Sequence, residues 1–323
     1  MQCDFSIILL SFKRLDLLKN CLESIGMLEN PSKLNFEILI CVNGDDQETK
    51  DYLDEKGYEY LNLQTCEPVG EARNKLIRKA KGHFLLFIDD DVELPKNYLL
   101  HATQELIADE VDVFGGPDQS VVSRNHFQCV LNNLMRSYFC MGPTKYRHVE
   151  TSEQIVADEK SLILCNLWIR REIFKSYSFP KKYVRNEENL LMAKLKINGH
   201  RFKYINHLLV YHHRKKNLTK LVRATFYSGR YRLISILEEP KSLELVFLVP
   251  LVALLLMSII FFLNLKLFVF LTCIYLIFIS FKTLLLNSEN MGVRTLLTGV
   301  AIFIVYNWGY AIGELSALFW RKK

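Results

Sequence analysis

Three consecutive carboxylates, Asp89, Asp90 and Asp91, close an apolar run from Phe84 to Ile88. Adjacent acids repel one another unless positive charge sits among them. Alternate oxygens, such as those of Asp89 and Asp91, suit a hard divalent cation, which takes oxygen ligands and commonly shares them with phosphate. An acidic turn capping the next helix is the other reading, because Glu93 and Pro95 look like a helix start. On the triplet alone both readings stand. The other residues whose types could do chemistry are the Arg73-Asn74 dipeptide of GEARN, the Glu187-Glu188 pair and His212 of VYHHR.

These groups need elements to position them. The run ending at Asp89 has the length and composition of a strand buried on both faces of a sheet. Phe5 to Leu10 reads as a first strand, followed by SFKR and by Leu15, Leu18, Leu22 and Ile25 at helical spacing. Phe36 to Val42 is a second strand ending in NGDDQ, and Tyr58 to Leu63 a third. Strand alternating with helix predicts an α/β fold, a mostly parallel sheet with helices on both faces. Ligands of such sheets bind beyond the carboxyl ends of the strands. SFKR, NGDDQ and DDD all lie at such ends and are expected to converge on one crevice.

Half of the 323 residues are hydrophobic, and most of the long apolar runs come after residue 242. Net charge is +6, but its placement is more informative. From Asn189 through Leu237 there is no carboxylate, against eleven Lys and Arg residues. Such a block suits phosphate groups or an anionic membrane surface. Zinc-finger spacing and RNA-binding aromatic signatures are missing, so nucleic acid is not expected as a partner. The eight cysteines form no CxxC and are expected to be reduced and structural, which places the soluble part in a reducing compartment. MQCDFSIILLSF has no basic head and only a short apolar run, so no signal peptide is expected.

The segment EPVGEARNKLIRKAKGHFLLFIDDD resembles the GxxxARNxG…AxGxxxxFxDDD core of glycosyltransferase family 2, the inverting glycosyltransferases of GT-A (Rossmann-like) fold. FGGPD at 114–118, CNLWIRREIF at 165–174, EENLLMAKLKINGHRFKY at 187–204 and VYHHR at 210–214 follow in the family's order. The resemblance covers roughly residues 4–230. The basic stretch and hydrophobic tail resemble members that make bacterial exopolysaccharide or surface glycans.

The resemblance implies sugar transfer from a nucleotide-diphosphate sugar, a UDP-sugar being favoured, to a hydroxyl, with Mn²⁺ or Mg²⁺ neutralising charge on the leaving diphosphate. It makes Asp91 the direct metal ligand, has Asp89 contact the donor ribose or support the metal, and lets His212 complete the shell. Ser11, Lys13, Asn43, Arg73, Asn74, Asp90 and Asp118 fall on the donor side. Gly70 would permit the tight turn before Arg73, and Gly115-Gly116 a flexible backbone facing the donor sugar. Many relatives carry an acid after the second strand to hold the nucleobase. Here Val42 or Asn43 stands in that place, which leaves the base open. A sugar hydroxyl attacks only once a carboxylate takes its proton. The family's Glu-Asp pair corresponds to Glu187 and Glu188, with Glu188 at the base position. Asn166 and Trp168 match an acceptor-side loop, Trp168 as a sugar-stacking platform. Loss of catalysis, leaving a membrane-tethered nucleotide-sugar binding protein, is the alternative. Val42 and the Glu-for-Asp change at Glu188 are its support.

These readings divide the chain into a glycosyltransferase domain at 1–214, a basic amphipathic segment at 215–240 and a membrane domain at 241–323. Leu218, Leu221, Val222, Phe226, Leu233 and Leu237 share one helical side, with Lys216, Lys220, Arg223 and Arg230 along its edge. That pattern fits either a helix in the membrane interface or one packed on its own domain. Runs at 243–263 and 267–286, separated by Asn264-Leu265-Lys266, predict a helical hairpin. A third, at 296–319, contains Asn307, Glu314 and a Gly309-xxx-Gly313 pattern and is either a span or a re-entrant segment. Three crossings would put Arg321-Lys322-Lys323 opposite the catalytic domain, against the positive-inside tendency. A bacterial inner membrane with the catalytic domain cytoplasmic, and a glycan or polyprenyl-lipid-linked acceptor, follow as expectations. No QxxRW motif is present, so transfer of a single sugar is expected.

Overall fold

The computed structural model describes residues 3–108, 110–121 and 125–319. The chain packs as two compact units, Met1–Val121 with Tyr146–His213, and Val122–Lys145 with Arg214–Lys323. The stretch before Lys145 thus belongs with the C-terminal residues.

The strands of the first unit are β1 (Phe5–Ser11), β2 (Phe36–Asn43), β3 (Tyr60–Leu63), β4 (Phe84–Asp89), β5 (Val92–Glu93), β6 (Val113–Gly115), β7 (Asp118–Ser120), β8 (Leu167–Arg170), β9 (Phe202–Tyr204) and β10 (Val210–His212). Among the described residues, seven of them form one sheet in the order β3-β2-β1-β4-β8-β6-β9. β8 runs antiparallel to both its neighbours and every other pairing is parallel, which is the mostly parallel α/β sheet expected. β5, β10 and β7 make a second, three-stranded sheet that the sequence reading did not anticipate.

Side chains alternate across a strand, so β1 feeds two cores. Phe5, Ile7 and Leu9 pack with Leu18, Leu22 and Ile25 of the helix Leu15–Gly26 and with Tyr98, Leu99 and Ala102 of the helix Tyr98–Ala108. Ile8 and Leu10 pack on the other face, with Ala72 and Leu76 of the helix Val69–Ile77 and Leu191 and Leu195 of the helix Glu187–Ile197. Helices therefore cover both faces. In register, Leu10 pairs with Asp89 and Ser11 with Val42, so β1, β2 and β4 end at one level.

The second unit is helical. Leu245–Leu263, Leu265–Leu286 and Val293–Ala317 are each long and apolar enough to cross a membrane. The hairpin turn is tighter than expected. Asn264 alone separates the first two, its Oδ1 accepting from the Leu267 N–H at 3.0 Å, so Leu265 and Lys266 are already helical. The third is continuous, with a π-helical stretch at Val305–Gly309. Its glycine approaches the helix Leu218–Glu238, because a Cβ on Gly313 would lie 2.0 Å from the Phe226 carbonyl and one on Gly229 2.0 Å from that of Tyr310. Glu314 is wholly buried within electrostatic reach of buried Arg232, and the Asn307 amide donates to the Phe303 carbonyl at 2.9 Å. The Arg321–Lys323 cluster lies outside the described residues.

Candidate active site

The level ends of β1, β2 and β4 bring SFKR, NGDDQ and DDD to one edge of the sheet. Lys13 adopts a left-handed conformation (φ 52°) uncommon for a residue with a side chain, and its N–H donates to Asp46 Oδ2 at 2.6 Å. The chain turns there, and Arg14 reaches the acid triplet.

The three aspartates separate. Asp89 is half-buried and accepts from Arg73 Nη2 at 3.0 Å. Asp90 is wholly buried and pairs with Arg14, and burial pushes its carboxyl up to about 7 against the pull of that guanidinium. Asp91 accepts from Arg14 Nη1 at 2.6 Å on one oxygen and lies 3.2 Å from His212 Nε2 on the other. Ser11 is buried at the end of β1.

The small sheet fixes His212. On β10 it lies opposite Val92 of β5, one residue past Asp91, and opposite Ser120 of β7. Its Nδ1 donates to Asp118 Oδ2 at 2.7 Å, and His148 Nδ1 lies 2.5 Å from the other Asp118 oxygen. Cys165 Sγ sits 3.8 Å from Asp118 Oδ2 and 3.9 Å from His212 Nδ1. Asp118, Cys165 and His212 are close enough together to hold a metal ion. Burial alone would favour neutral imidazole at His212. Asp91 and Asp118 outweigh it and hold His212 well above the usual histidine range.

Across the crevice lies a second cluster. Arg73 is buried and pairs with Glu187 as well as Asp89. Glu187 is buried and Glu188, next along the helix Glu187–Ile197, half-buried. One guanidinium thus serves Asp89 and Glu187 together, with Glu188 in electrostatic reach. Burial, then Glu188, pushes Glu187 up to about 7 in spite of Arg73, while the surrounding acids raise Arg73 against its own burial.

Several residues named from sequence take other places. The Asn43 amide donates to the Glu67 carbonyl at 2.9 Å and accepts from its N–H at 2.9 Å, bracing the loop before Val69. Asn74 grips the backbone of Phe179 in the same two-point fashion. The expectation of a stacking platform at Trp168 is corrected. It is wholly buried, stacked on Phe114 at 5.3 Å, and its Nε1–H donates to the Tyr98 hydroxyl at 2.8 Å. Asn166 is equally sealed, accepting from Tyr98 at 2.7 Å and donating to the carbonyls of Pro117 and Leu208. Asp118 has no exposed surface to offer a donor sugar and serves the two histidines. Lys13 is exposed, its ammonium 5.2 Å from the Phe12 ring centroid. Gly70, Gly115 and Gly116 serve close packing, since a Cβ on them would stand 2.5, 2.3 and 2.0 Å from the carbonyls of Pro180, Asn166 and Leu208.

Sequence reasoning missed Arg14, His148 and Cys165. A cation closing SFKR opposite three acids was a charge signal for Arg14. His148 and Cys165 carry none, since nothing local ties them to Asp118.

Residues 6–178 match the family model described as glycosyl transferase family 2. No curated protein matches the chain. The mannosyltransferase PcManGT from Pyrobaculum calidifontis, solved with GDP-Man and Mn²⁺, is similar at a TM-score of 0.61 and 13% identity, over 100% of this chain and 89% of that one. S. aureus TarS 1-349 in complex with UDP is similar at 0.50 and 17% identity, over 72% of this chain. The match spans 65% of that TarS segment. At such identities the likeness is one of fold, and it is the GT-A fold expected.

Proposed function

Because the chain belongs to glycosyl transferase family 2, we propose that it moves one sugar, with inversion, from a nucleotide-diphosphate donor to a hydroxyl of a glycan or polyprenyl-lipid-linked acceptor. The observation that carries this reading is Arg73, which joins the acid at the end of β4 to the acid pair opening the helix Glu187–Ile197. A donor-side group and the acid pair are thereby held together by one guanidinium.

In this reading Glu188 takes the proton of the acceptor hydroxyl as its oxygen bonds to the anomeric carbon. The bond from that carbon to the diphosphate breaks, and its electron pair leaves on the phosphate oxygen. Glu187 and Arg73 orient Glu188 and Asp89. Mn²⁺ or Mg²⁺, when bound, would neutralise charge on the departing diphosphate. Asp91 would hold it, with Asp89 supporting, and His212 would join them once the ion replaces the proton that its imidazole shares with Asp91. A hard ion of this kind prefers oxygen and imidazole to the Cys165 sulfur.

We favour a UDP-sugar, with GDP-mannose the competitor, since similar folds were solved with UDP and with GDP-Man. Residues 1–214 would carry the chemistry, and 241–323 would anchor it in a membrane, of bacterial inner-membrane type with the chemistry on its cytoplasmic side. Three sufficiently long apolar helices support the anchor. Exposed Lys216, Lys220 and Arg223 support placing 215–240 against lipid headgroups.

The test is a thermal-shift screen of nucleotide sugars on the detergent-solubilised full chain, with and without Mn²⁺, followed by donor turnover. Stabilisation by one donor together with Mn²⁺, and turnover lost in Glu188→Gln, is expected. Stabilisation without turnover in any donor would favour a non-catalytic binder, and no stabilisation by any donor would overturn the reading.

A further inference from the structure

Both oxygens of Asp91 already have partners, the Arg14 guanidinium through Nη1 at 2.6 Å and the His212 ring through Nε2 at 3.2 Å. The Arg14 fork spans two carboxylates, since its other terminal nitrogen pairs with the wholly buried Asp90. We propose that Arg14 is a built-in counter-cation for Asp90 and Asp91 that competes with the divalent ion, so that ion and diphosphate donor enter the site together and not in sequence. This rests on the metal-dependent reading above.

The physical argument is one of replacement. Two buried neighbouring carboxylates that are both ionised need positive charge nearby. Arginine supplies it without any ion, and it cannot yield by giving up a proton. It can only withdraw. Its side chain is 42% exposed and stands on the loop turned by the left-handed Lys13, so withdrawal sacrifices little buried contact. An ion alone must displace the guanidinium using protein ligands only. An ion carrying a diphosphate brings oxygen ligands of its own, and a displaced guanidinium finds a partner in phosphate, whose geometry its fork matches. The competition therefore makes ion affinity conditional on the nucleotide.

The test measures Mn²⁺ affinity of the full chain in detergent by electron paramagnetic resonance, alone and with saturating UDP, in wild type, Arg14→Gln, Arg14→Lys and Asp91→Asn. In Arg14→Gln, Mn²⁺ alone binds on the order of tenfold tighter, because the competing charge is gone, and the gain in affinity produced by UDP shrinks. Arg14→Lys, a single-point donor, shows a smaller change in the same direction. A merely damaged fold would weaken ion binding instead. Equal or weaker binding of Mn²⁺ alone in Arg14→Gln overturns the proposal while leaving metal dependence intact. Mn²⁺ binding unaffected by Asp91→Asn, or no binding with UDP in any variant, overturns the metal reading and this proposal together.

Discussion

Arg73 and Glu187, 114 positions apart in the sequence, form an ion pair that is almost sealed from solvent. The same guanidinium donates to Asp89. Removing one partner of a buried pair leaves the other charge uncompensated, at a cost of about 3–5 kcal/mol. Arg73→Met is therefore expected to lower the thermal midpoint of the full chain substantially, and to lower donor turnover with it. A midpoint equal to that of the wild type would show that the pair does not hold the site together.

Glu188 carries the proton transfer in the proposed reaction. Glu188→Gln keeps size and hydrogen bonding but cannot accept the proton, so turnover should fall by about 10²–10⁴-fold. Donor affinity, measured by calorimetry with the UDP-sugar identified in the screen, should stay as it is. A loss of affinity matching the loss of rate would place Glu188 in donor binding instead.

The acid pair sets a pH dependence. Burial and Glu188 raise Glu187 from an ordinary 4.5 to about 7, so below that pH Glu187 holds a proton and its pairing with Arg73, which orients the site, is weakened. The second-order rate constant should rise through about pH 7 and level off above it, and Glu187→Gln should shift that limb to lower pH. Stability runs the other way. A carboxyl raised in the folded state favours folding while protonated, and that contribution is full below the ordinary value and fades as pH climbs through about 7. A flat rate profile between about pH 5.5 and 8 would contradict the assignment.

Trp168 is assigned to the core. Trp168→Ala should cost about 3–5 kcal/mol of stability through the cavity it leaves. Trp168→Phe, which retains a ring against Phe114, should leave the KM for acceptor unchanged. A raised acceptor KM in a normally stable Trp168→Phe protein would restore the sugar-stacking role.

In the helical unit, Gly313→Val should separate the helix Leu218–Glu238 from the third apolar helix, because no Cβ fits 2.0 Å from the Phe226 carbonyl. Overpacking of this kind costs about 1–3 kcal/mol, visible as a lower thermal midpoint. An unaltered midpoint would mean the two helices yield freely at that crossing.

The long apolar strands were legible in the sequence because β1, β2 and β4 are buried on both faces and their ends carry the charged loops. The helix Leu15–Gly26 was legible from its periodicity. The strand before His212 was legible too, expected at Leu208 to Tyr211 and found as β10, but β5 and β7 were not, being two or three residues each and too short for any periodic signal. The acid triplet could be read as a site because charge repulsion makes it conspicuous. Which partner each aspartate takes could not, since Arg14, Arg73 and His212 arrive from three distant segments. Asn43, Asn74, Asn166 and Trp168 have side chains equally able to face a ligand or to brace a loop. Only the position of Glu67, Phe179, Pro117 and Tyr98 decides between them.

The ladder of Val210–His212 between β5 and β7 has one more implication. Because successive side chains on a strand point to opposite sides, sliding those three residues by a single step would swing the imidazole of His212 out of the crevice and present Tyr211 or His213 in its stead. A lone residue gained or lost between Ile205 and Val210 would therefore cost the site its imidazole even with His212 itself unchanged.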